Sequence, residues 1–232
     1  MTIAVIRFPG TNNENDVVRA LKLIPGAEPY LVPSSKGSDA LKNAKGVVIP
    51  GGFSYGDYLR AGAVASVGSI LDGVRAMADS GKPILGICNG FQILAESGLL
   101  PGALLPNASA HFICKWVYVK VSGHHTAFTH GMEGAVIRLP IAHAEGNYYC
   151  TEEDLERLKH GHRIPFRYCN QEGEAIEAAN PNGAIYSIAG ITNEKGNILG
   201  MMPHPERASR LVLGSVDGLG ILENFVQAMR EA

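Results

Sequence analysis

Short apolar runs alternate with helical periods along the first hundred residues, and this alternation limits the possible folds more than any other feature. Ile3–Phe8 is a β-rich run that ends at Pro9-Gly10. From Asp16 to Ile24, the side chains of Val17, Val18, Leu21 and Ile24 share one helical face, and Pro25-Gly26 stops the helix. Tyr30–Val32 is a short strand, and Gly46–Pro50 is a run of the buried type that ends in Gly51-Gly52. Leu59–Ala78 carries Val64, Val67, Ile70, Leu71, Val74 and Met77 at helical spacing. Pro83–Ile87 is another buried run, followed at once by a helical stretch from Asn89 to Ser97 that Gly98 ends. A βαβαβα order implies a parallel sheet with helices on its faces and right-handed crossovers. Such sheets place their sites off the carboxyl ends of the strands, so the junctions after Pro50 and after Ile87 are the ones to watch.

The middle of the chain has a different texture. Phe112–Val121 and Ala135–Leu139 are strand-like, Thr151–His160 is a short helix with a Thr151 cap, and Ile164–Tyr168, Ala184–Ile188 and Ile198–Met202 are further strands. Leu219–Met229 is an amphipathic closing helix. No internal repeat, linker or low-complexity segment divides the chain. The expected fold is α/β: a single domain over residues 1–232, with a central, largely parallel sheet flanked by helices and additional β elements in the middle.

Composition excludes several functions. The net charge is −2, with Lys and Arg scattered, which argues against electrostatic binding of nucleic acid or of an anionic membrane. No stretch approaches the roughly 18 consecutive apolar residues of a spanning helix. Met1–Phe8 lacks the basic start and the cleavage site of a signal peptide and reads as a strand. Four cysteines (Cys88, Cys114, Cys150 and Cys169) include no C-x-x-C pair and are too sparse for a disulfide scaffold, so a reducing, cytoplasmic location is expected.

One cysteine stands apart. Gly86-Ile87-Cys88-Asn89-Gly90 bridges a strand and a helix, the setting of a nucleophile elbow. The glycines leave room for a tight bend and a close substrate. The free N–H groups and dipole of the following helix favour an anion there, and the Asn89 N–H is placed as an oxyanion donor. Cys114, Cys150 and Cys169 lack this context and read as structural thiols.

A cysteine nucleophile needs a base, and the base an orienting acid. Two H-x-E pairs are present, and a spacing of two puts both side chains on one face of extended chain. His204-Pro205-Glu206 follows a strand, and Pro203 and Pro205 hold its backbone, which makes it the more rigid mount. His143-Ala144-Glu145 lies in a looser, glycine-containing setting and remains the rival. Either pair read blandly is a surface ion pair of little worth. His124, His125 and His130 lie in a Gly/Ser/Thr-containing stretch and read as loop residues, with no metal-ligand spacing. Gly51-Gly52-Phe53 follows a strand and suits an oxyanion hole. The loop lacks the Lys-Ser/Thr of a P-loop, no G-x-G-x-x-G fingerprint occurs, and a plain structural turn is the competing reading.

At this point the motifs carry a resemblance. GICNGFQ (Gly86–Gln92), PGGFSYGDYLRAGA (Pro50–Ala63) and GMMPHPER (Gly200–Arg207) resemble the class I glutamine amidotransferases. The likeness extends to VIRFPGTN, IAHAEGNYY and GSVDGLGILENF, and so over nearly the whole chain. It differs at Ala144, where the family usually has glycine. The resemblance implies a triad of Cys88, His204 and Glu206, an oxyanion hole from the backbone of Gly52, Phe53 and Asn89, and a glutamine-binding role for Gln92. It further implies that ammonia passes to a partner, with a large synthetase subunit and a small third subunit in the multi-subunit form. No metal or cofactor is expected in this chain; ATP and Mg belong to the synthetase. Two alternatives remain: another cysteine hydrolase of peptidase or deglycase type, and a catalytically silent interaction subunit.

Overall fold

In a computed structural model, which describes residues 1–122, 124 and 126–231, the expected alternation holds. β1 (Thr2–Arg7) leads through α1 (Glu14–Leu21) to β2 (Glu28–Pro33). Then come β3 (Gly46–Ile49), α2 (Ser69–Asp79), β4 (Ile84–Ile87) and α3 (Asn89–Glu96). The middle supplies β5 (Ala103–Leu105), β6 (Ile113–Val121), β7 (Val136–His143), β8 (Asn147–Tyr149), α4 (Glu152–His160) and β9 (Phe166–Cys169). β10 (Ile188–Thr192), β11 (Ile198–Met201) and α5 (Leu219–Glu231) follow.

Among the described residues, nine strands form one sheet in the order β2-β1-β3-β4-β11-β10-β9-β6-β7, and β5 pairs with β8 separately. From β2 to β11 neighbouring strands are parallel; from β11 through β10, β9, β6 and β7 they are antiparallel. Of the middle β elements, β6, β7 and β9 therefore extend the main sheet, while β5 and β8 form a separate two-stranded one. β3 and β4 are buried at every position, which is why they read as unbroken apolar runs. β7 alternates, with Ile137, Leu139, Ile141 and His143 buried, because one face alone is covered.

β11 lies beside β4 in parallel, with Gly200 opposite Gly86 and Met201 opposite Ile87, while Ile49 of β3 also pairs with Gly86. Three chain segments therefore leave the sheet side by side at its carboxyl edge: Pro50-Gly51, Cys88, and Met202–His204.

Three expected elements differ. The helix foreseen from Leu59 begins at Ser69, and residues 59–68 are turns with a 3₁₀ stretch at Ala65–Val67. Gly62 has φ +82°, and a Cβ there would lie 2.8 Å from the backbone of Gln92 and Ile93, so this segment is pressed against α3 in a conformation no helix allows. Ala184–Ile188 is not a strand. Ile185–Ser187 is a 3₁₀ turn with Tyr186 and Ser187 at φ +54° and +55°, and β10 starts only at Ile188. β7 runs past Leu139 to His143 because Pro140 sits on the edge strand, where a missing N–H is tolerated. Thr151 caps α4 as expected, its Oγ1 accepting the Asp154 N–H at 3.1 Å. His124 and His130 lie in bends and turns; His125 lies outside the described residues. Among those residues no helix is long and apolar enough to cross a membrane.

Candidate active site

Cys88 occupies the elbow, and its own backbone carries the strain, at φ +52° and ψ −106°. Such a conformation costs about 1–3 kcal/mol in a non-glycine residue and persists only where surroundings enforce it. Here the Cys88 N–H donates to Met201 O at 2.7 Å, and its carbonyl accepts the N–H groups of Phe91 and Gln92. The bracketing glycines serve packing instead of the bend. A Cβ on Gly90 would sit 1.9 Å from Ile49 O, and one on Gly86 would sit 2.8 Å from the Gly90 carbonyl. Both let α3 lie directly on β3 and β4. The sulfur lies 3.7 Å from Ala142 O.

His204 follows β11 in extended conformation (φ −102°, ψ 92°), its N–H donating to Pro140 O at 2.9 Å. Its Nδ1 lies 2.6 Å from Glu206 Oε1. The carboxylate reaches the ring from a short 3₁₀ turn, Pro205–Arg207, rather than along extended chain. His204 and Glu206 are 2% and 1% exposed, so the pair is a buried one and not a surface ion pair. Burial alone would lower the His204 pKa, but Glu206 and the Cys88 sulfur outweigh it and raise the value to about 9. The histidine is therefore an imidazolium at neutral pH. Its Nε2 is buried and makes no hydrogen bond. A Cβ on Gly51 would lie 2.9 Å from His204 Cε1 and 3.3 Å from Cys88 Cβ, so both side chains close on the bare backbone of this glycine.

The other expected residues are placed as follows. The Asn89 N–H opens α3 and has no intrahelical acceptor. Gly52 has φ +135° and bridges to Thr11. The Phe53 N–H donates to Gly10 O at 3.0 Å and is thus committed to the scaffold. Gln92 is buried, with Oε1 accepting from Asn89 Nδ2 at 2.9 Å and Nε2 donating to Glu145 O at 2.6 Å. Asn89 Oδ1 in turn accepts the Ser54 N–H at 3.2 Å, which ties α3 to the loop after β3. Cys114 is exposed, Cys150 and Cys169 are buried, and all are free thiols.

The rival pair separates. Among the described residues no hydrogen bond joins His143 to Glu145, whose side chain accepts the Ala61 N–H at 3.3 Å. Nor is the setting loose. Asn107 donates its amide to the carbonyls of His111 and His143, so its Oδ1 is the acceptor for His143 Nδ1–H at 3.0 Å and for the Gly146 N–H at 3.0 Å. Gly146 lies under the ring, where a Cβ would be 2.2 Å from it. Ala144, exposed, uses its carbonyl to accept the Asn107 N–H at 2.8 Å, so the departure from glycine is accommodated.

Burial, then the charge of His204, lowers the His143 pKa from 6.5 to about 4. The folded state thus binds fewer protons than the unfolded one. The stabilisation is complete above pH 6.5 and is lost as pH falls through about 4. A gap of about 2.5 units corresponds to about 3 kcal/mol. In urea titrations between pH 7 and 4, His143→Gln is expected to flatten that slope relative to the parent. An unchanged slope would place the acid lability elsewhere.

Asn13 was not among the residues expected from sequence. It is 1% exposed, and its Nδ2 donates to Glu206 Oε1 at 2.6 Å and lies 3.2 Å from His204 Nδ1. The signal available was its position, just past the carboxyl end of β1, where a doubly wound sheet gathers its site.

A strained cysteine elbow, a buried histidine–glutamate pair and glycine-lined backbone meet at one sheet edge, and these are the parts that amide cleavage by a thiol requires. The chain belongs to the CobB/CobQ-like glutamine amidotransferase family, whose domain it matches over residues 1–218. It is 50% identical over 238 residues to phosphoribosylformylglycinamidine synthase subunit PurQ of Bradyrhizobium diazoefficiens, covering 100% of both chains. It is 52% identical over 228 residues to the subunit of the same name from Pyrococcus furiosus, covering 98% of each. Its fold is similar to a chain in the structure of PurLQS from Thermotoga maritima, with a TM-score of 0.85, 40% identity and 97% of each chain covered.

Proposed function

We propose that this chain is the glutaminase subunit of a cytoplasmic phosphoribosylformylglycinamidine synthase, and that Cys88, His204 and Glu206 carry its chemistry. The full-length identity to relatives of that name supports the assignment, and the strained Cys88 beside a buried imidazolium is the observation that carries the mechanism. The Cys88 thiolate adds to the side-chain carbonyl carbon of glutamine, and the carbonyl oxygen becomes an oxyanion held by backbone N–H groups of Asn89 and Gly52. Phe53 joins them once its N–H leaves Gly10. His204 gives its Nε2 proton to the departing nitrogen, which leaves as ammonia, and a γ-glutamyl thioester remains. Neutral His204 then takes a proton from water as the oxygen attacks the thioester. Glutamate leaves, and the thiolate–imidazolium pair is restored. Glu206 holds the ring and keeps Nδ1 protonated throughout. Gln92 holds the shape of the glutamine pocket through its bonds to Asn89 and Glu145.

Ammonia released to water at neutral pH is mostly protonated and no longer nucleophilic, so direct transfer to a partner is required. That partner is a large synthetase subunit, acting with a small third subunit and using ATP and Mg to aminate formylglycinamide ribonucleotide. Cys88 and His204 are 4% and 2% exposed, which supports low turnover until the partner docks and opens the site.

The test is covalent labelling with 6-diazo-5-oxo-norleucine in the assembled complex, with the adduct mapped by mass spectrometry. A glutamine-suppressible adduct on Cys88 is expected. An adduct elsewhere, or one indifferent to glutamine, would revive the general cysteine-hydrolase reading; no adduct in the complex would favour a silent interaction subunit.

A further inference from the structure

Asn13 sits at the N-cap of α1, where an asparagine side chain ordinarily accepts an N–H from the first turn. It makes no such bond. The first turn is served by the Asn13 backbone carbonyl instead, which accepts the N–H groups of Asp16 and Val17. The side chain is turned into the protein interior, where its Nδ2 meets Glu206 Oε1 at 2.6 Å. That same oxygen is 2.6 Å from His204 Nδ1, and the two nitrogens are 3.2 Å apart. Nδ1–H and Nδ2–H both donate to one carboxylate oxygen, so the nitrogens are neighbours and not partners. Asn13 Oδ1 is left buried without a hydrogen bond, a state that costs stability and that a capping geometry would have avoided.

We infer that Asn13 is a positioning residue for the catalytic pair: it pins Glu206 Oε1 from beside the ring nitrogen and limits how much of the carboxylate charge His204 feels. With two donors on one oxygen, that atom has no freedom to rotate away as the imidazolium forms and discharges. Asn13 reaches the site from the first strand–helix unit, Cys88 from the β4–α3 elbow, and His204 from the end of β11. Other ionisable groups near the pair are Arg207, with Nε 3.7 Å from Glu206 Oε1, the neutral His143 at the end of β7, and Asp16, Arg19 and Arg210, which line a pocket together with Glu206.

The inference rests on the reading of Cys88, His204 and Glu206 as catalytic, and the experiment separates the two. Glutamine hydrolysis is measured across pH in the assembled complex for the parent, Asn13→Asp, Asn13→Ser and Cys88→Ala. Ser caps helices as well as Asn does, so a purely structural role at α1 predicts parent-like behaviour in Asn13→Ser, whereas Asn13→Asp sets a second buried carboxylate against Glu206 and is expected to lower the melting temperature. A donor role predicts a kcat in Asn13→Ser reduced roughly tenfold to a hundredfold, with KM for glutamine little changed. It also predicts an alkaline limb moved to higher pH in Asn13→Ser, because an undiluted carboxylate holds the imidazolium proton more tightly. Should Asn13→Asp fail to fold, Asn13→Ser and its pH profile decide. Parent-like kcat and pH limb in Asn13→Ser, with Cys88→Ala inactive, overturn the role of Asn13 alone; an active Cys88→Ala overturns the catalytic reading beneath it.

Discussion

Glutamine hydrolysis by the assembled complex is expected to fall by a factor on the order of ten thousand or more when Cys88 becomes alanine. No other side chain described at the carboxyl edge can replace the sulfur as a nucleophile. His204 faces it with an Nε2 that has no other partner, and without a thiolate the imidazolium has no leaving group to protonate. The fold is expected to tolerate the change, because alanine meets the same φ of +52° with the same Cβ. Synthesis by the partner from added ammonium salt is therefore expected to persist, and this keeps the loss in the glutaminase half. Residual glutamine-dependent activity within tenfold of the parent would show that the nucleophile lies elsewhere.

Gly90→Ala is expected to be the most damaging single-methyl change, although Gly90 touches no substrate. Its Cβ would lie 1.9 Å from Ile49 O and 2.8 Å from the carbonyl carbon, both backbone atoms of a strand buried on both faces. Neither a rotamer change nor a side-chain shift relieves that overlap, so α3 must move off β3. Overpacking of this kind costs about 3 kcal/mol or more, which in a chain of this size lowers the melting temperature by roughly 6–12 °C. The same displacement carries Cys88 and the Asn89 N–H away from His204, so activity is lost beyond what the instability explains. Gly98→Ala provides the comparison. It stands in open space at φ +71° and is expected to cost about 1 kcal/mol. Equal melting temperatures for the two variants would refute the packing account.

What the sequence disclosed, and what it hid, follows from how local each signal is. Strands buried on both faces announce themselves as unbroken apolar runs, so β3 and β4 were legible, and with them the two junctions that carry Cys88 and Gly51. His204 was legible because Pro203 and Pro205 fix its backbone without help from the rest of the fold. The stretch from Leu59 to Gly68 misled because Val64 and Val67 keep helical spacing in a segment whose course is set by contact with α3, a neighbour that periodicity cannot see. The glycines around Cys88 pointed to the right place for a different reason, since they admit helix to sheet and the cysteine itself takes the strain. Asn13 was hidden by ambiguity: an asparagine before a helix reads as a cap, and only the tertiary structure shows its side chain spent elsewhere.

The seating of β11 between β4 and β10 has a consequence for how the site is assembled. Strands β1, β3 and β4 lie close together in the sequence, whereas the partner on the other flank of β4, residues 198–201, comes far later in the chain. Without that pairing Cys88 lacks both the Met201 carbonyl that anchors its N–H and the neighbouring His204. Assembly of the proposed thiol site thus depends on one long-range strand pairing, and no local segment of the chain carries it alone.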